Sequence, residues 1–237
     1  MMRKETTPPL FTFKTLYNTP IHVEKGGLLN WLSSWPLLAW IAHRRHPDWS
    51  WTQCVWTTVW AGLALVYADL GHASAHVVSA RMAGAPMDEI RVPLGMPRTL
   101  YRNNDVSPWV HRMRALGGPV FSLIMLGVSL LVRASLPKNS AAREAADWSC
   151  IGHTFIGLGS LTPFPIVDGG TITKWTLVEQ GRSPEEADKA VEQAGLAVSG
   201  GVAVAGVVMA MRRRWGWAAG LLGLALLGIG MAKGKIA

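Results

Sequence analysis

The chain is poor in charge: Asp, Glu, Lys and Arg together make up only 16% of its 237 residues. A water-soluble surface of that size needs more, so an ordinary soluble domain is disfavoured from the outset. Cysteine is nearly absent. Cys54 and Cys150 are the two present, and both fall inside apolar segments, which excludes a disulfide framework. The stretch from Met1 to Lys25 holds charges and prolines but no apolar core followed by a small-residue cleavage site, so a cleaved signal peptide is not indicated. The net charge is +8, yet no basic stripe or aromatic-interleaved platform accompanies it. A nucleic-acid partner is therefore not expected.

What the sequence does have is apolar residues in long blocks. Hydrophobic residues are 49% of the chain and run together rather than at amphipathic spacing, as membrane helices do. Six stretches are legible. Residues 27–43 form the weakest, broken by Ser33, Ser34 and Pro36. Residues 51–80 are long and opened by Trp51, Trp56 and Trp60, and 116–136 and 148–167 follow. The last two, 194–211 and 215–232, are separated by Arg212, Arg213 and Arg214. The sequence thus predicts an all-α polytopic membrane protein with about six transmembrane helices. Gly216 and Gly220 have the spacing that lets helices approach closely, or that serves simple packing. With six spans, 15 of the 23 Lys and Arg residues fall on the side of the N-terminus, the 81–115 loop, the 168–193 loop and the C-terminal tail. That side is expected to be cytoplasmic, with both termini there.

Between the spans, Pro93, Gly95, Pro97 and Pro108 break any continuous helix in the 81–115 loop, while Glu89 to Leu94 suits a short strand. Residues 183–194 read as a short surface helix: Ser183 caps, Pro184 fits the first turn, and Glu185 and Glu186 meet the positive helix end.

Ionisable residues at membrane depth are costly and mark candidate sites. Asp69, His72, His76, His153 and Asp168 are the group here. On a helix His72 and His76 lie one turn apart on the same face, where two imidazoles can grip one ion. The alternative is a pair of packing or hydrogen-bonding histidines. Asp69 projects close to the same face, as a further ligand, a base, a support for a ligand histidine, or an acid capped by a neighbouring helix. Asp168 stands near the end of the segment Leu161-Thr162-Pro163-Phe164-Pro165-Ile166-Val167-Asp168-Gly169-Gly170. Two prolines interrupt the helical ladder there and two glycines permit tight turns. Such a break at membrane depth survives only where protein or a water-filled cavity covers it. An acid at its end can reach a metal, or can be a solvated residue of a helix-ending turn. His153 lies about 22 Å along a helix from Asp168, so packing or a hydrogen bond is its expected role.

Together these features resemble the site-2 protease family of intramembrane zinc metalloproteases. In that family a membrane helix carries HExxH, and a later Pro-rich break ending in Asp-Gly supplies a third ligand. Here His72-Ala73-Ser74-Ala75-His76 leads through Arg81 and Gly84 to Met87-Asp88-Glu89-Ile90. Ala115-Leu116-Gly117-Gly118-Pro119 is similar to the Gly-Pro opening of the next family helix, and Pro163 to Gly170 matches Pro-x-Pro-x-x-Asp-Gly-Gly. The resemblance covers residues 55–180 and implies a site-2-protease-like three-helix core with Zn2+ held by His72, His76 and Asp168. It divides the chain into an N-terminal segment with the weak first span (1–50), the membrane core (51–180), and the surface helix with the C-terminal helical pair (181–237).

Two departures bear on activity. The family's general-base Glu is Ala73 in this chain, and the Asn often found ahead of the Pro-rich segment is Ser160. The expectation is a metal-binding homologue without peptidase activity that binds or regulates a single-span membrane client. One alternative is an active zinc metalloprotease using another base, such as Asp69. Another is a membrane metal-handling protein or oxidase, although His22, His43, His46 and His111 are scattered rather than grouped. A transporter is disfavoured because the halves show no inverted hydropathy repeat.

Overall fold

The computed structural model describes residues 8–15 and 17–235. Arg3 and Lys4, which count toward the basic N-terminal side, lie outside them. The chain divides into two compact units, 1–105 with 117–159, and 106–116 with 160–237. Helices dominate both, and the architecture is that of an all-α membrane protein carrying one small sheet.

The first unit opens with strands β1 (Phe11–Lys14) and β2 (Pro20–Val23), an antiparallel hairpin. Helices α1 (Lys25–Arg45) and α2 (Trp51–Met82) follow, then β3 (Glu89–Val92) and β4 (Arg98–Leu100). The strand order is β1-β2-β3-β4, with β2 and β3 parallel: Ile21 stands opposite Ile90 and Val23 opposite Val92. The strand expected over 89–94 is present, whereas the N-terminal hairpin gave no signal in the apolar pattern. Alternate residues point to one face of a strand. Ile21, Val23, Ile90 and Val92 therefore share one face, and they bury it against Ala73, Val77 and Ala80 of α2. Ser50 starts α2 with a capping box in which it and Gln53 satisfy each other's backbone N–H groups.

The chain continues in α3 (Pro108–Ser135), which crosses from the second unit into the first, and α4 (Ala141–Ser160). Gly117 lets α3 lie directly on α2, because a Cβ there would fall on the Ala75 carbonyl and the Ser79 hydroxyl.

The second unit holds the start of α3, the irregular segment 161–167, and α5 (Asp168–Glu179), α6 (Pro184–Met211) and α7 (Trp215–Ala232). Ser183 and Glu186 form the expected capping box. The helix they start does not end near 194, however. Ala187, Val191, Gly195 and Ser199 make a buried stripe that carries it unbroken into the apolar block, giving 28 residues in all. Gly216 and Gly220 face open space. The close approach of α6 and α7 instead uses Gly206, against Leu222, and Gly228, against Ser199.

Among the described residues four helices, α2, α3, α6 and α7, are long and apolar enough to cross a membrane. Helices α1 and α4 form where apolar stretches were read. Ser33, Ser34 and Pro36 in one, and Arg143, Glu144 and Asp147 in the other, dilute their hydropathy.

Candidate metal centre

Within the first unit His72 and His76 turn their rings to one point. Their Nε2 atoms stand 3.3 Å apart, with the rings inclined at 80°. His76 is buried at 5% exposure. Two imidazole lone pairs at that distance repel, so a proton on one nitrogen or a cation must lie between them. In a tetrahedral site with metal–nitrogen bonds of about 2.0–2.1 Å, two ligand nitrogens are separated by about 3.3 Å. The pair already has that separation.

The other ring nitrogen of His72 fixes that ring's orientation. The Ser122 hydroxyl, fully buried on α3, lies 3.0 Å from His72 Nδ1. An Nδ1–H donated to it leaves His72 Nε2 as the lone-pair nitrogen. The backbone N–H of Gly118 points at His76 Nδ1 from 3.4 Å, at the long end of hydrogen-bond range. With that contact made, His76 Nε2 carries the ring proton and donates it to His72 Nε2; a cation on Nε2 moves the proton to Nδ1 and breaks the contact with Gly118. Gly118 has a second role: a Cβ there would collide with Nε2 of both histidines. The missing side chain keeps open the space the two nitrogens face. The donor set and this gap fit a zinc-like cation.

Asp168 opens α5 in the second unit, one residue after the N-cap Val167. The break before it forms as the prolines require. Phe164 donates its N–H to the Thr162 carbonyl, and Val167 donates to that of Phe164. Gly169 and Gly170 allow the loop to fold back on the first helical turn, because a Cβ at either would strike the carbonyl of Leu161 or Phe164. The Phe164 ring packs against Gly195 and Gly228. A carboxylate in the first turn of a helix is favoured by the dipole.

Ala73, in the position of the family's Glu, is 3% exposed and sits in the apolar cluster under the sheet, with Ile21, Val77 and Ile90. Asp69 accepts a hydrogen bond from the Trp31 indole of α1 at 3.3 Å, the capping by a neighbouring helix weighed above. His153 is fully buried between Tyr67 and Phe121, and neither ring nitrogen has a hydrogen-bond partner among the described residues. The remaining histidines are dispersed: His22 pairs with Glu89, His43 stacks on Trp51, His46 meets Glu144, and His111 stacks on Trp175. Sequence reasoning missed Ser122 and Trp31, since neither belongs to a spaced motif. Gly118 was visible only as part of a Gly-Gly-Pro string.

No protein-family model matches the chain, and no curated protein is significantly similar to it in sequence. Its fold is similar to that of a solved structure, the site-2 protease from Methanocaldococcus jannaschii. The TM-score is 0.56 at 14% identity, over 96% of this chain and 95% of that one. The chain therefore has a site-2-protease-like membrane fold.

Proposed function

We propose that this chain is an integral membrane metal-binding protein of site-2-protease fold, without peptidase activity, that holds or regulates a single-span membrane client. His72, His76 and Asp168 are assigned as the ligands of Zn2+. The observation that carries this reading is the 3.3 Å separation of the two Nε2 atoms beside the space left by Gly118. When bound, the ion supplies Lewis-acid polarisation of an oxygen ligand. The chain's own part is to orient: Ser122 sets the His72 ring, and Gly118 excludes any side chain from the ion's place.

Two features support the loss of hydrolysis. General-base assistance is worth about 10²- to 10⁴-fold, and the Ala73 methyl has no proton acceptor. Its apolar surroundings under the sheet also leave no polar seat for one. Asp69, the candidate substitute, is engaged by Trp31. We assign the side bearing the sheet and the 81–115 loop to the cytoplasm, following the distribution of Lys and Arg.

Metal analysis of the purified protein beside His72→Ala, His76→Ala and Asp168→Ala tests the ligand set, with each variant expected to lose stoichiometric zinc. Full retention in all three sinks the centre. Incubation with single-span clients tests the silence: no cleavage is expected from the native chain. Ala73→Glu is expected to lower thermal stability rather than confer activity, because it buries a carboxylate among apolar side chains. Cleavage by the native chain that disappears in Asp69→Ala establishes the alternative, a peptidase with a different base.

A further inference from the structure

The first unit carries a second polar site, at the end of its helices away from the sheet. There Arg45 and His46, at the end of α1, meet Glu144 near the start of α4. A pocket of ≈ 460 Å³ is lined by Arg45, His46, Arg133, Glu144, Asp147 and Cys150. Its carboxylates are already matched. Glu144, only 3% exposed, accepts from Arg45 Nη1 at 3.1 Å and from the Trp148 indole at 3.0 Å, and lies 3.3 Å from His46 Nε2. Asp147 pairs with Arg133.

Each pocket guanidinium uses one edge for its acid. The Arg45 and Arg133 side chains nevertheless stay 45% and 41% exposed, leaving further N–H groups accessible. Arg143 is spent on the last turn of α3, donating to the carbonyls of Arg133 and Leu136, and Arg44 lies over Trp40. Lys138 does not line the pocket, and the two pocket arginines balance its two carboxylates; what favours an anion is the donor capacity that Arg45 and Arg133 have left over.

The setting specifies what kind of anion. Trp40, Trp49, Trp51 and Trp148 ring this end, and the rings of Trp40, Trp49 and Trp148 stack with Arg44, His46 and Arg45. Indoles collect where a bilayer meets water. From the pocket wall an apolar row runs along α4: Ile151, Phe155 and Leu158, at 42%, 72% and 55% exposure. Residues so spaced share one helix face. A free phosphate has no use for that row, whereas an amphiphile does. Arginine forks also match the paired oxygens of a phosphate ester.

We propose that this pocket binds a phospholipid, its phosphodiester between Arg45 and Arg133 and an acyl chain along Ile151, Phe155 and Leu158. The site stands independently of the metal centre. Cys150 lines the pocket while Cys54 is fully buried, so one thiol reports on occupancy. Maleimide alkylation of Cys150 in the full chain, purified in detergent, is followed by mass spectrometry with three additives: dihexanoyl phosphatidylglycerol, dihexanoylglycerol and glycerol 3-phosphate. At lipid tenfold above its Kd, alkylation slows by about ten-fold by mass action. Dihexanoylglycerol and glycerol 3-phosphate leave it unchanged at the same concentration. Protection disappears in Arg45→Gln and Arg133→Gln and persists in Lys138→Gln. Equal protection by dihexanoylglycerol overturns the phosphate assignment, and equal protection by glycerol 3-phosphate overturns the lipid one. These comparisons use the native chain, so they decide the matter even where an arginine variant fails to fold.

Discussion

At the scale of single residues, the geometry around His72 and His76 rests on neighbours that carry no metal-binding chemistry themselves. Gly118→Ala adds one methyl on the two Nε2 atoms. The expected outcome is loss of bound zinc with both histidines still in place, measured as metal per chain by plasma mass spectrometry. Ser122→Ala removes the oxygen beside His72 Nδ1 and frees the ring to turn. Partners of that kind are worth about 10- to 100-fold in metal affinity, which competition with a chromophoric chelator measures. The histidines themselves were legible in the sequence, because a spacing of four on a helix is a geometric statement. Ser122 was not: its role depends on which turn of α3 lies against His72, and a single chain of letters does not encode that register. Ala73 shows the reverse. That an alanine stands where the family resemblance leads one to expect a Glu was plain in the sequence, while the apolar cluster that encloses Ala73 became visible only with the sheet.

At the scale of elements, the break before α5 and the long helix after it depend on each other. Phe164 leaves the broken segment to fill the gap at Gly195 of α6 and Gly228 of α7. A leucine at 195 occupies that gap. Gly195→Leu is therefore expected to displace Phe164 and lower the melting temperature in detergent more than Gly200→Leu, whose position faces open space. Overpacking of this kind costs typically 1–3 kcal/mol. The capping signals of Ser50 and Ser183 are local, and the first turns of α2 and α6 follow them. Where α6 ends is not a local matter. The acid-rich start, with Glu185, Glu186 and Asp188, reads as a surface helix, yet the buried stripe from Ala187 to Ser199 continues it into the apolar block. Pairing of α6 with α7 likewise went to Gly206 and Gly228 rather than to the more conspicuous Gly216 and Gly220, because which helix faces meet is fixed by packing, not by spacing in one strand of sequence.

At the scale of the whole molecule, apolar blocks revealed the membrane class and the order of the main helices, since bilayer thickness imposes a length that a sequence displays directly. The sheet was half legible. Strand β3 shows alternation, but its partner β2 lies 69 residues earlier in register, with Ile21 opposite Ile90, and long-range pairing leaves little local trace. That pairing bears on how the chain threads the bilayer. The strand before α1 and the strand after α2 share hydrogen bonds, so they occupy one aqueous compartment. The number of crossings between them must be even. A passage by α2 therefore obliges a return passage by α1, whose 21 residues rise about 31 Å, close to the thickness of hydrocarbon, despite its serines and proline. In a Cys150→Ser background, a cysteine placed at Pro47 should then react with a membrane-impermeant thiol reagent from one face of sealed vesicles, and one at Gly95 only from the other. Labelling of both from the same face contradicts this parity. A short hairpin at the start of the chain thus decides the route of a helix that hydropathy alone leaves undetermined.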